Sequence, residues 1–500
     1  MTFATGCYDS AVTNYAFLID QRKCIGCHAC TTACKSENHV PVGKFRTWVK
    51  YTEKGSFPAV RRHFAVLRCN HCTNAPCVTI CPVNALDKRK DGIVDLDRDA
   101  CIGCKGCMQA CPYDAIYLNE DTGSAEKCHF CAHRVEKQLE PACVVVCPER
   151  AIVAGDMDDP NSEIRNLVAS HPVSVRKAEQ GTGPNLFYID ADSSVLTPTE
   201  PRHEESYLWS ERATPAPPGA NFDEDTNVRV AYDVSHPAPW GWKVGTYLWT
   251  KAIAAGAAVI APFAKDLGLG GNVEKYGPEI AVLLFLGITT FLLIEDLARP
   301  AKFYTILTRP NWKSWLVRGT VILAAFGTLT PAIIALQFLG AEQMVTILRW
   351  INVGLALAAA AYSGFLFAQA EGRDFWQSPL RAPHLAVEAA VAGAAVAVLA
   401  GADAEKILIF SLAAHFLFVM ADVFTNHGGR DAERAKHLLT HGVFAQKFWL
   451  AMIGGAAVPI ALLLIPAMPV LYTISALAAL AGLLGFGLLW VKAGQAIPLS

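Results

Sequence analysis

Sixteen of the 17 cysteines in this 500-residue chain lie between residues 24 and 147, in four groups of four. Three thiolates spaced two residues apart on a tight loop wrap one iron–sulfur cluster, and a fourth, starting a helix, reaches a neighbouring cluster. Groups one and three have the full C-x2-C-x2-C-x3-C spacing, which predicts clusters in close pairs, as electron transfer requires. The groups are Cys24, Cys27, Cys30 and Cys34; Cys69, Cys72, Cys77 and Cys81; Cys101, Cys104, Cys107 and Cys111; and Cys128, Cys131, Cys143 and Cys147.

Zinc and disulfide bonds are the other common uses of clustered cysteines. Structural zinc prefers two separated cysteine pairs, and disulfides need an oxidising compartment. Residues 1–14 have no charged start followed by an apolar core, so we expect neither a Sec nor a twin-arginine signal. Clusters are therefore favoured over both alternatives. Cys7 belongs to no group and is expected to be an ordinary thiol.

The elements that position these cysteines follow from a change in composition along the chain. All cysteines precede residue 148, whereas the sequence after about residue 244 is mostly apolar. A net charge of −2 and the lack of a basic stripe argue against a nucleic-acid partner. Strand-like runs flank the cysteine loops and predict a ferredoxin-like α+β double domain. These runs are Tyr15–Ile19, Phe64–Leu67, Gly92–Leu96 and Ala115–Leu118.

Tyr15–Lys35 (YAFLIDQRKCIGCHACTTACK) resembles the iron–sulfur electron-transfer subunit of the polysulfide reductase and dimethyl sulfoxide reductase group. Gly181–Tyr188 (GTGPNLFY) resembles a late strand of the same family, and the resemblance covers roughly residues 12–192. In that family, group one pairs with group four and group two with group three. The resemblance thus implies four [4Fe–4S] clusters and a catalytic partner subunit that contains molybdopterin. The implied ligands are Cys24, Cys27, Cys30 and Cys147; Cys34, Cys128, Cys131 and Cys143; Cys69, Cys72, Cys77 and Cys111; and Cys81, Cys101, Cys104 and Cys107.

We expect three segments: an iron–sulfur domain at 1–192, a linker at 193–240 and an all-α membrane domain at 241–500. The linker is rich in Pro, Ser, Thr and acidic residues, as in Ala213–Gly219. Eight apolar stretches follow, each near the ~20 residues that cross a bilayer. We place them at about 244–264, 277–297, 316–339, 346–370, 382–400, 405–425, 447–467 and 469–491.

Lysine and arginine in the short loops predict the orientation, because cytoplasmic loops carry an excess of them. Eleven lie on the side of the cysteine-rich domain and four on the other. The eleven are Lys243, Arg299, Lys302, Arg309, Lys313, Arg373, Arg381, Arg430, Arg434, Lys436 and Lys492; the four are Lys265, Lys275, Lys406 and Arg349. We therefore expect a multi-pass protein of the cytoplasmic (inner) membrane, with the iron–sulfur domain and both termini in the cytoplasm.

The membrane half carries a second resemblance. Glu295–Tyr304 (EDLARPAKFY) resembles the DLGRPxRFY signature after the second span of NrfD/polysulfide-reductase-type anchors, with Ala298 where that pattern has glycine. Tyr362–Gly364, with Trp376, resembles the end of their fourth span. In related anchors, a polar group on the first span and a tyrosine on the fourth approach a quinone. The sequence therefore resembles a fusion of an electron-transfer subunit with its anchor.

A lipid-soluble quinone is the expected electron partner, and its site needs hydrogen-bond donors, a proton route and an apolar cleft. Ionisable groups inside membrane spans are functional candidates by default. By the resemblance we expect Tyr247 or Lys251, and Tyr362, at a quinone-binding site, and Asp296 joins them as an ionisable group near the cytoplasmic end of the second span. Structural alternatives stay open: Lys251 could extend to the interface, Tyr247 could belong to an aromatic belt, and Asp296 could pair with Arg299.

A b-type haem would need histidine pairs at matching depth on facing helices. Of the histidines near the spans, only His415 lies deep in one, so we expect no haem. The others lie at or beyond the cytoplasmic ends: His384, His427, His437 and His441. His415 and Glu388 could belong to a proton path, or could simply make hydrogen bonds that pack the bundle.

The sequence has no nucleotide fingerprint, nucleophile elbow or zinc motif, so substrate chemistry is expected on another chain. The expected function is a subunit that passes electrons through four clusters between a molybdopterin catalytic subunit and membrane quinone. Three alternatives stay open: a passive anchor and assembly module, a module that moves protons across the membrane, and the electron-transfer subunit of a nickel–iron hydrogenase.

Overall fold

The computed structural model describes residues 13–203, 221, 226–425, 428–466 and 468–500. Residues 13–203 form the cysteine-rich half, and residues from Trp242 onward form the helical half. Cys7, His427 and the Ala213–Gly219 stretch lie outside the described residues. The bounds predicted for the three segments stay a prediction.

The cysteine-rich half is built on small sheets. The largest has the strand order β8-β1-β10-β9, with β1 parallel to β10 and antiparallel to β8. The other sheets have the orders β11-β2-β3, β4-β5 and β6-β7. The strands are β1 (Tyr15–Asp20), β2 (Thr47–Ser56), β3 (Ala59–Arg68), β4 (Leu86–Lys88), β5 (Val94–Leu96), β6 (Ile116–Asn119), β7 (Ser124–Lys127), β8 (Ile152–Asp156), β9 (Val173–Ser174), β10 (Leu186–Ile189) and β11 (Val228–Tyr232).

β1 lies inside its sheet and is buried on both faces. Because successive side chains of a strand point to opposite faces, Phe17 and Ile19 pack into the core that holds the cysteines, whereas Ala16 and Leu18 pack against Ile164. Short helices follow the cysteine loops and fix their ends. They are α1 (Ala29–Asn38), α2 (Pro76–Ile80), α3 (Gly106–Ala110), α4 (Ala132–Val135) and α5 (Ala142–Val145). Two more short helices, α6 (Glu163–Ser170) and α7 (Ser193–Leu196), lie beyond the last cysteine.

The helical half contains, among the described residues, eight helical segments long and apolar enough to cross a membrane. This confirms the predicted all-α bundle of eight spans. The seventh span is interrupted by a π-helical turn at Ile453–Ala457. The helices are α8 (Trp242–Ile260), α9 (Gly271–Glu295), α10 (Thr305–Thr308), α11 (Trp315–Phe338), α12 (Glu342–Ala368), α13 (Arg381–Leu399), α14 (Glu405–Phe424), α15 (Arg430–Thr440), α16 (Ala445–Met452), α17 (Val458–Leu463) and α18 (Pro469–Ala496).

Small residues bring the spans into close contact, as is usual where lipid removes the hydrophobic driving force between helices. A Cβ placed on Gly256 of α8 would lie 2.4 Å from the backbone nitrogen of Gly393 on α13. Gly455 and Gly482 make a similar approach between the seventh span and α18. These crossings leave no room for a side chain, so each fixes the depth at which its two helices meet.

The two halves pack directly against each other. Asn311 donates from Nδ2 to the carbonyl of Cys81 at 2.8 Å, and Ser314 donates to the carbonyl of Ile80 at 2.7 Å. Arg373 donates from Nε to Gln109 Oε1 at 2.9 Å. These contacts come from the loops after the second and fourth spans, which are among the loops richest in lysine and arginine. The cysteine-rich half therefore covers the more basic end of the bundle.

The described residues of the segment predicted as a linker contain regular secondary structure. They include α7, and β11 pairs antiparallel with β2. Lys50 of β2, buried in the core, forms an ion pair with Asp233 at 3.2 Å, just after β11. This part of the segment therefore belongs to a sheet of the cysteine-rich half.

Candidate metal centres and an adjoining cavity

Four cysteines from the two ends of the cysteine-rich segment line one small cavity. We call Cys24, Cys27, Cys30 and Cys147 set A. β1 leads into the loop that carries the first three, and the fourth follows α5. Gly26, in that loop, has a φ of 70°, and a Cβ there would lie 2.5 Å from the ring of Phe64. Only glycine fits this turn without strain.

A second cavity is lined by Cys34, Cys128, Cys131 and Cys143, which we call set B. Arg68 donates from Nη1 to the sulfur of Cys143 at 3.0 Å, and Asn38 Nδ2 lies 3.6 Å from the sulfur of Cys34. Burial opposes the charge on Arg68, but the sulfurs of Cys143 and Cys128 hold its pKa above the usual range. A permanent positive charge, that of Arg68, therefore lies beside the sulfurs of set B.

The remaining eight cysteines also form two sets. Cys69, Cys72, Cys77 and Cys111, set C, interact electrostatically with one another, as do Cys81, Cys101, Cys104 and Cys107, set D. Backbone N–H groups of Ala85 and Ala125 donate to the sulfurs of Cys81 and Cys101 at 3.3 and 3.4 Å. The structure thus brings together the same four sets that the sequence resemblance implies.

The four sets lie in a series. Interactions between sulfurs of different sets connect Cys30 to Cys143, Cys128 to Cys69, and Cys107 to Cys77. The order is therefore A, B, C, D. At one end, Cys27 of set A is exposed, next to Ile25, which is 56% exposed. At the other end, set D faces the helical half.

The donor atoms suit iron–sulfur clusters. Burial raises the pKa of the thiols of Cys34, Cys72 and Cys104 to about 12. Such thiols keep their protons near neutral pH, so a cation that binds thiolates must displace those protons. Sixteen sulfurs in four compact sets, several of them bonded to N–H donors, fit the environment of clusters whose potentials depend on such bonds.

A cavity of about 610 Å³ adjoins set D. Its wall is mostly apolar and comes from α8, α9, α11 and α12, together with Cys104 and Trp240. Trp240 donates from Nε1 to the carbonyl of Cys104 at 3.3 Å. Gly287 and Leu307, which also line it, are exposed, so the cavity opens sideways between α9 and the loop before α11.

Three of the four predicted quinone-site residues line this cavity: Tyr247 of α8, Asp296 after α9, and Tyr362 of α12. The fourth, Lys251, lies directly behind them. Its Nζ is 4.3 Å from the centre of the Tyr362 ring and donates to Ser363 Oγ at 2.5 Å. Lys251 is 1% exposed, so it points into the bundle rather than towards the interface.

Asp296 pairs with a residue of the cysteine-rich half rather than with Arg299. Its Oδ1 lies 3.1 Å from Nζ of Lys105, the residue after Cys104. Burial raises the pKa of Asp296, and the ammonium of Lys105 acts in the opposite direction. Arg299 instead donates to the carbonyls of Thr122 and Arg98, both at 2.6 Å.

Sequence reasoning missed Lys105 and Trp240 at this site. Lys105 lies inside the third cysteine motif, between Cys104 and Cys107. The sequence alone therefore showed that it is next to a predicted cluster-binding cysteine. Trp240 begins a W-G-W run just before the first span, which reads equally well as an interfacial aromatic anchor. Neither could be assigned to the cavity without knowing how the two halves pack.

Different family models match the cysteine-rich half and the helical half of the chain. A family model described as polysulphide reductase, NrfD, matches residues 232–498, more than half of the chain. The chain therefore belongs to the polysulphide reductase NrfD family. Models of a 4Fe–4S dicluster domain and a 4Fe–4S binding domain match residues 60–157 and 15–36. This NrfD-family chain is thus a fusion of an iron–sulfur electron-transfer subunit with a multi-pass membrane anchor.

Several curated proteins are similar to the cysteine-rich half. The B subunit of tetrathionate reductase from Salmonella typhimurium is 45% identical over 39% of this chain and 80% of its own length. A putative iron–sulfur subunit of dimethyl sulfoxide reductase from Halobacterium salinarum is 38% identical over 46% of this chain and 97% of its own length. The B component of polysulfide reductase from Wolinella succinogenes is 41% identical over 35% and 93%.

Proposed function

We propose that this chain carries electrons between a catalytic partner subunit and membrane quinone, and that it binds the quinone itself. The observation that carries the proposal is the cavity that has Cys104 of set D in its wall together with Tyr247, Asp296 and Tyr362. A redox centre and a lipid-accessible cleft share one boundary there. A volume of about 610 Å³ lies within the ~300–1,000 Å³ usual for small-molecule sites.

Sets A to D are the proposed ligands of four [4Fe–4S] clusters. When bound, these clusters would carry one electron at a time. The two electrons of a quinone would therefore pass to or from the catalytic subunit in single steps. The series from exposed Cys27 to the membrane cavity supports a path with the catalytic subunit at set A and the quinone at set D. Reductase names among the relatives support a molybdopterin subunit as that partner.

The polar groups in the cavity have proposed roles in quinone chemistry. The hydroxyls of Tyr247 and Tyr362 donate hydrogen bonds to quinone oxygens, and Asp296 accepts or returns a proton. Lys251 orients Tyr362 through the contact of its Nζ with the Tyr362 ring. Reduction of a quinone takes up two protons, so groups that hold protons beside the ring are required.

The proposed orientation places the cysteine-rich half in the cytoplasm. Support comes from the eleven basic residues at the end of the bundle that this half covers, against four at the other end. A protease site inserted at Gly340, between α11 and α12, is expected to be cut in intact spheroplasts. Cleavage only after lysis would reverse the orientation.

The function is tested on the complex purified from its native membrane. We expect a large molybdenum-containing subunit to co-purify, with about 16 iron atoms per copy of this chain. Nickel in place of molybdenum would indicate a hydrogenase instead. Quinone-dependent turnover that is no faster than without quinone, with the iron intact, would leave only the passive-anchor interpretation.

The quinone site is tested by Tyr362→Phe and Lys251→Met. Each is expected to lower quinone-dependent turnover at least ~10-fold, while turnover with a soluble dye that meets the clusters directly is kept. Tyr276→Phe is the matched control, since Tyr276 stacks on Phe338 at 5.0 Å, at the opposite end of the spans. Full quinone turnover in both test variants, with intact clusters, would refute the site.

A further inference from the structure

Four ionisable side chains form a buried network beside the quinone cavity, on α13 and α14. Arg381 donates from Nη1 to Glu388 Oε1 at 2.8 Å and contacts His384 Nδ1 at 3.3 Å. His384 Nε2 lies 2.9 Å from His415 Nδ1. None of the four side chains is more than 7% exposed. Buried charges in a membrane bundle are costly and are kept where they are used.

The network has the chemistry of a proton carrier rather than of a simple packing contact. A hydrogen bond between two imidazole nitrogens needs one N–H and one bare nitrogen, so the His384–His415 contact gives a proton a direct route from one ring to the other. Glu388 holds a proton as a carboxylic acid and releases it as a carboxylate, whereas Arg381 stays charged throughout. Arg381 thus fixes Glu388 and His384 without competing for the proton.

Lys251 connects the network to the quinone cavity. Its Nζ donates to Ser363 Oγ at 2.5 Å and to the carbonyl of Ala360 at 3.2 Å on the cavity side, and α13, which carries Arg381 and Glu388, packs against α8 on the other. The close crossing of α8 and α13 at Gly256 brings the two sides together: a Cβ there would lie 2.1 Å from the carbonyl oxygen of Ala389. Nε and Nη2 of Arg381 have no acceptor among the described residues, so they are available to hold a bridging water.

Along α13 and α14, ionisable side chains extend from the network towards one end of the bundle. α13 begins at Arg381, next to the cysteine-rich half, and Glu388 lies seven residues in, ~10 Å along the axis. On α14, Asp422 lies two turns beyond His415 towards that same end and accepts a hydrogen bond from Ser378 at 2.6 Å. Towards the other end, residues 389–399 and 407–414 contain no ionisable side chain.

A second polar pair, at the opposite end, is separated from the cavity. Arg349 donates from Nε to Glu279 Oε1 at 2.7 Å. Asn352 is the next polar group on that face of α12, and Ser363 follows eleven residues later, ~16 Å away. Between them lies a dry cluster that includes Ala356, Ala359 and Phe326. This pair has no polar connection to the quinone cavity through the described residues.

We propose that Arg381, Glu388, His384 and His415 form a proton relay between the quinone cavity and the membrane face covered by the iron–sulfur half. The inference rests on the proposed quinone reactivity. Oxidation of a quinol yields a quinone, two electrons and two protons; the electrons leave towards set D and the protons leave through Tyr362, Ser363, Lys251, Glu388 and the histidine pair. Reduction of a quinone uses the same groups in reverse. Protons are thus exchanged with one side of the membrane.

The test compares Glu388→Gln with Glu279→Gln in the intact complex, with quinone and dye turnover measured in parallel. Both carboxylates are buried and bonded to an arginine, but only Glu388 belongs to the relay. Glu388→Gln is expected to lower the kcat of quinone turnover ~10-fold or more, to raise its solvent deuterium isotope effect, and to leave the KM for quinone and the dye rate unchanged. Glu279→Gln is expected to leave all four quantities as they are.

His415→Gln keeps the Arg381–Glu388 pair and gives an independent probe with the same expected signature. Glu388→Asp, which restores an ionisable group, is expected to recover part of the lost rate. A Glu388→Gln complex with unchanged kcat and isotope effect would overturn the relay. So would a rise in KM without any change in isotope effect, because that identifies a packing role.

Sealed vesicles test the sidedness. With a pH indicator in each compartment, the proton change of quinone turnover is expected on the side of the iron–sulfur half; a change on the opposite side would overturn the relay. The failure of the relay differs from that of the proposed function. If the unmodified complex exchanged electrons with dyes but not with any quinone, the function itself would be wrong.

Discussion

The two ends of the cysteine series differ in what surrounds them. Set A lies near the surface, with Cys27 exposed and the apolar side chains of Ile25 and Val145 facing outward, 56% and 57% exposed. Set D is enclosed by membrane helices, and its loop makes backbone contacts with the segment after the second span. Set A is thus open to a large partner. Set D adjoins the cavity between the membrane helices, whose wall includes Cys104.

The contrast teaches that backbone contacts hold set D against the membrane helices. The backbone nitrogens of Ala298 and Arg299 donate to the carbonyls of Gly103 and Ile102, each at 3.2 Å. These backbone hydrogen bonds join the cluster loop to the membrane signature itself. The distance between set D and the cavity is therefore fixed by the backbone and does not depend on long side chains.

Removing a ligand at each end is expected to have the largest effect. Cys104→Ser and Cys27→Ser should each lower substrate-linked quinone turnover about 100-fold or more, because each breaks the series. The two differ in one readout: quinol should still reduce the remaining clusters in Cys27→Ser, but not in Cys104→Ser. Electron paramagnetic resonance of quinol-treated samples measures this. Equal reduction in both variants would mean that quinone does not meet the series at set D.

A smaller effect is expected from widening the contact at set D. A Cβ on Gly103, which has a φ of 69°, would lie 2.5 Å from Cβ of Ala298 and 2.6 Å from the carbonyl oxygen of Gly123. Gly103→Ala should cost about 1–3 kcal/mol of stability beyond the backbone strain and slow quinone turnover several-fold.

Gly181→Ala is the matched control for this change. Gly181 has a φ of 63° and nothing within 4 Å of its added Cβ, so it carries the backbone strain without the clash. Thermal unfolding and quinone turnover are measured for both variants. If both lost the same stability and rate, the contact between Gly103 and Ala298 would not be what positions set D.

Much of this arrangement could be predicted from the sequence, for local reasons. The four cysteine groups depend mostly on spacings of two to four residues, which a loop and a short helix satisfy wherever they lie. Their division into sets A to D joins residues as distant as Cys30 and Cys147 and was implied by the family resemblance. The spans depend on apolar length, and the fifth, predicted at 382–400, is observed at Arg381–Leu399. The ligand assignments and the quinone residues stay predictions that the geometry supports.

The parts that could not be predicted depend on how distant segments meet. His384 lies one turn inside α13 and seemed remote from His415, yet the register of α13 against α14 places their rings in contact. The pairing of Lys105 with Asp296 joins residues 191 positions apart. The amphipathic helix α15 and the π-helical turn of the seventh span were missed because neither is a simple apolar run.

Arg68 offers a third test, on a centre between the two ends. Its guanidinium bonds to Cys143 of set B, and a positive charge beside a cluster stabilises the reduced form. Arg68→Met is expected to lower the reduction potential of one cluster by on the order of tens of millivolts, as measured by redox titration. Arg176→Met is the control, because Arg176 is also buried but bonds to the carbonyl of Leu499. Equal shifts in both variants would show that the Arg68 contact has no special role.

The smallest effect is expected from the ion pair at set D. Lys105 and Asp296, with side chains 16% and 18% exposed, join the two halves next to the cavity. The pair Arg309–Asp97 also joins the halves, but at 3.7 Å and with side chains 63% and 51% exposed. Exposed pairs contribute ~0–1 kcal/mol because water screens them. The Lys105–Asp296 coupling should therefore exceed that of Arg309–Asp97, which should be near zero.

Double-mutant cycles with Lys105→Met and Asp296→Asn, and with Arg309→Met and Asp97→Asn, measure both couplings from thermal unfolding. We expect about 0.5–1 kcal/mol for the first pair, reduced little by added salt, because the site is mostly shielded from solvent. Coupling of equal size in the two cycles would mean that burial at set D adds nothing to the pair. The close fit at that end would then depend on the other contacts between the halves, among them the backbone bonds of Ala298 and Arg299 and the hydrogen bond from Asn311 to Cys81.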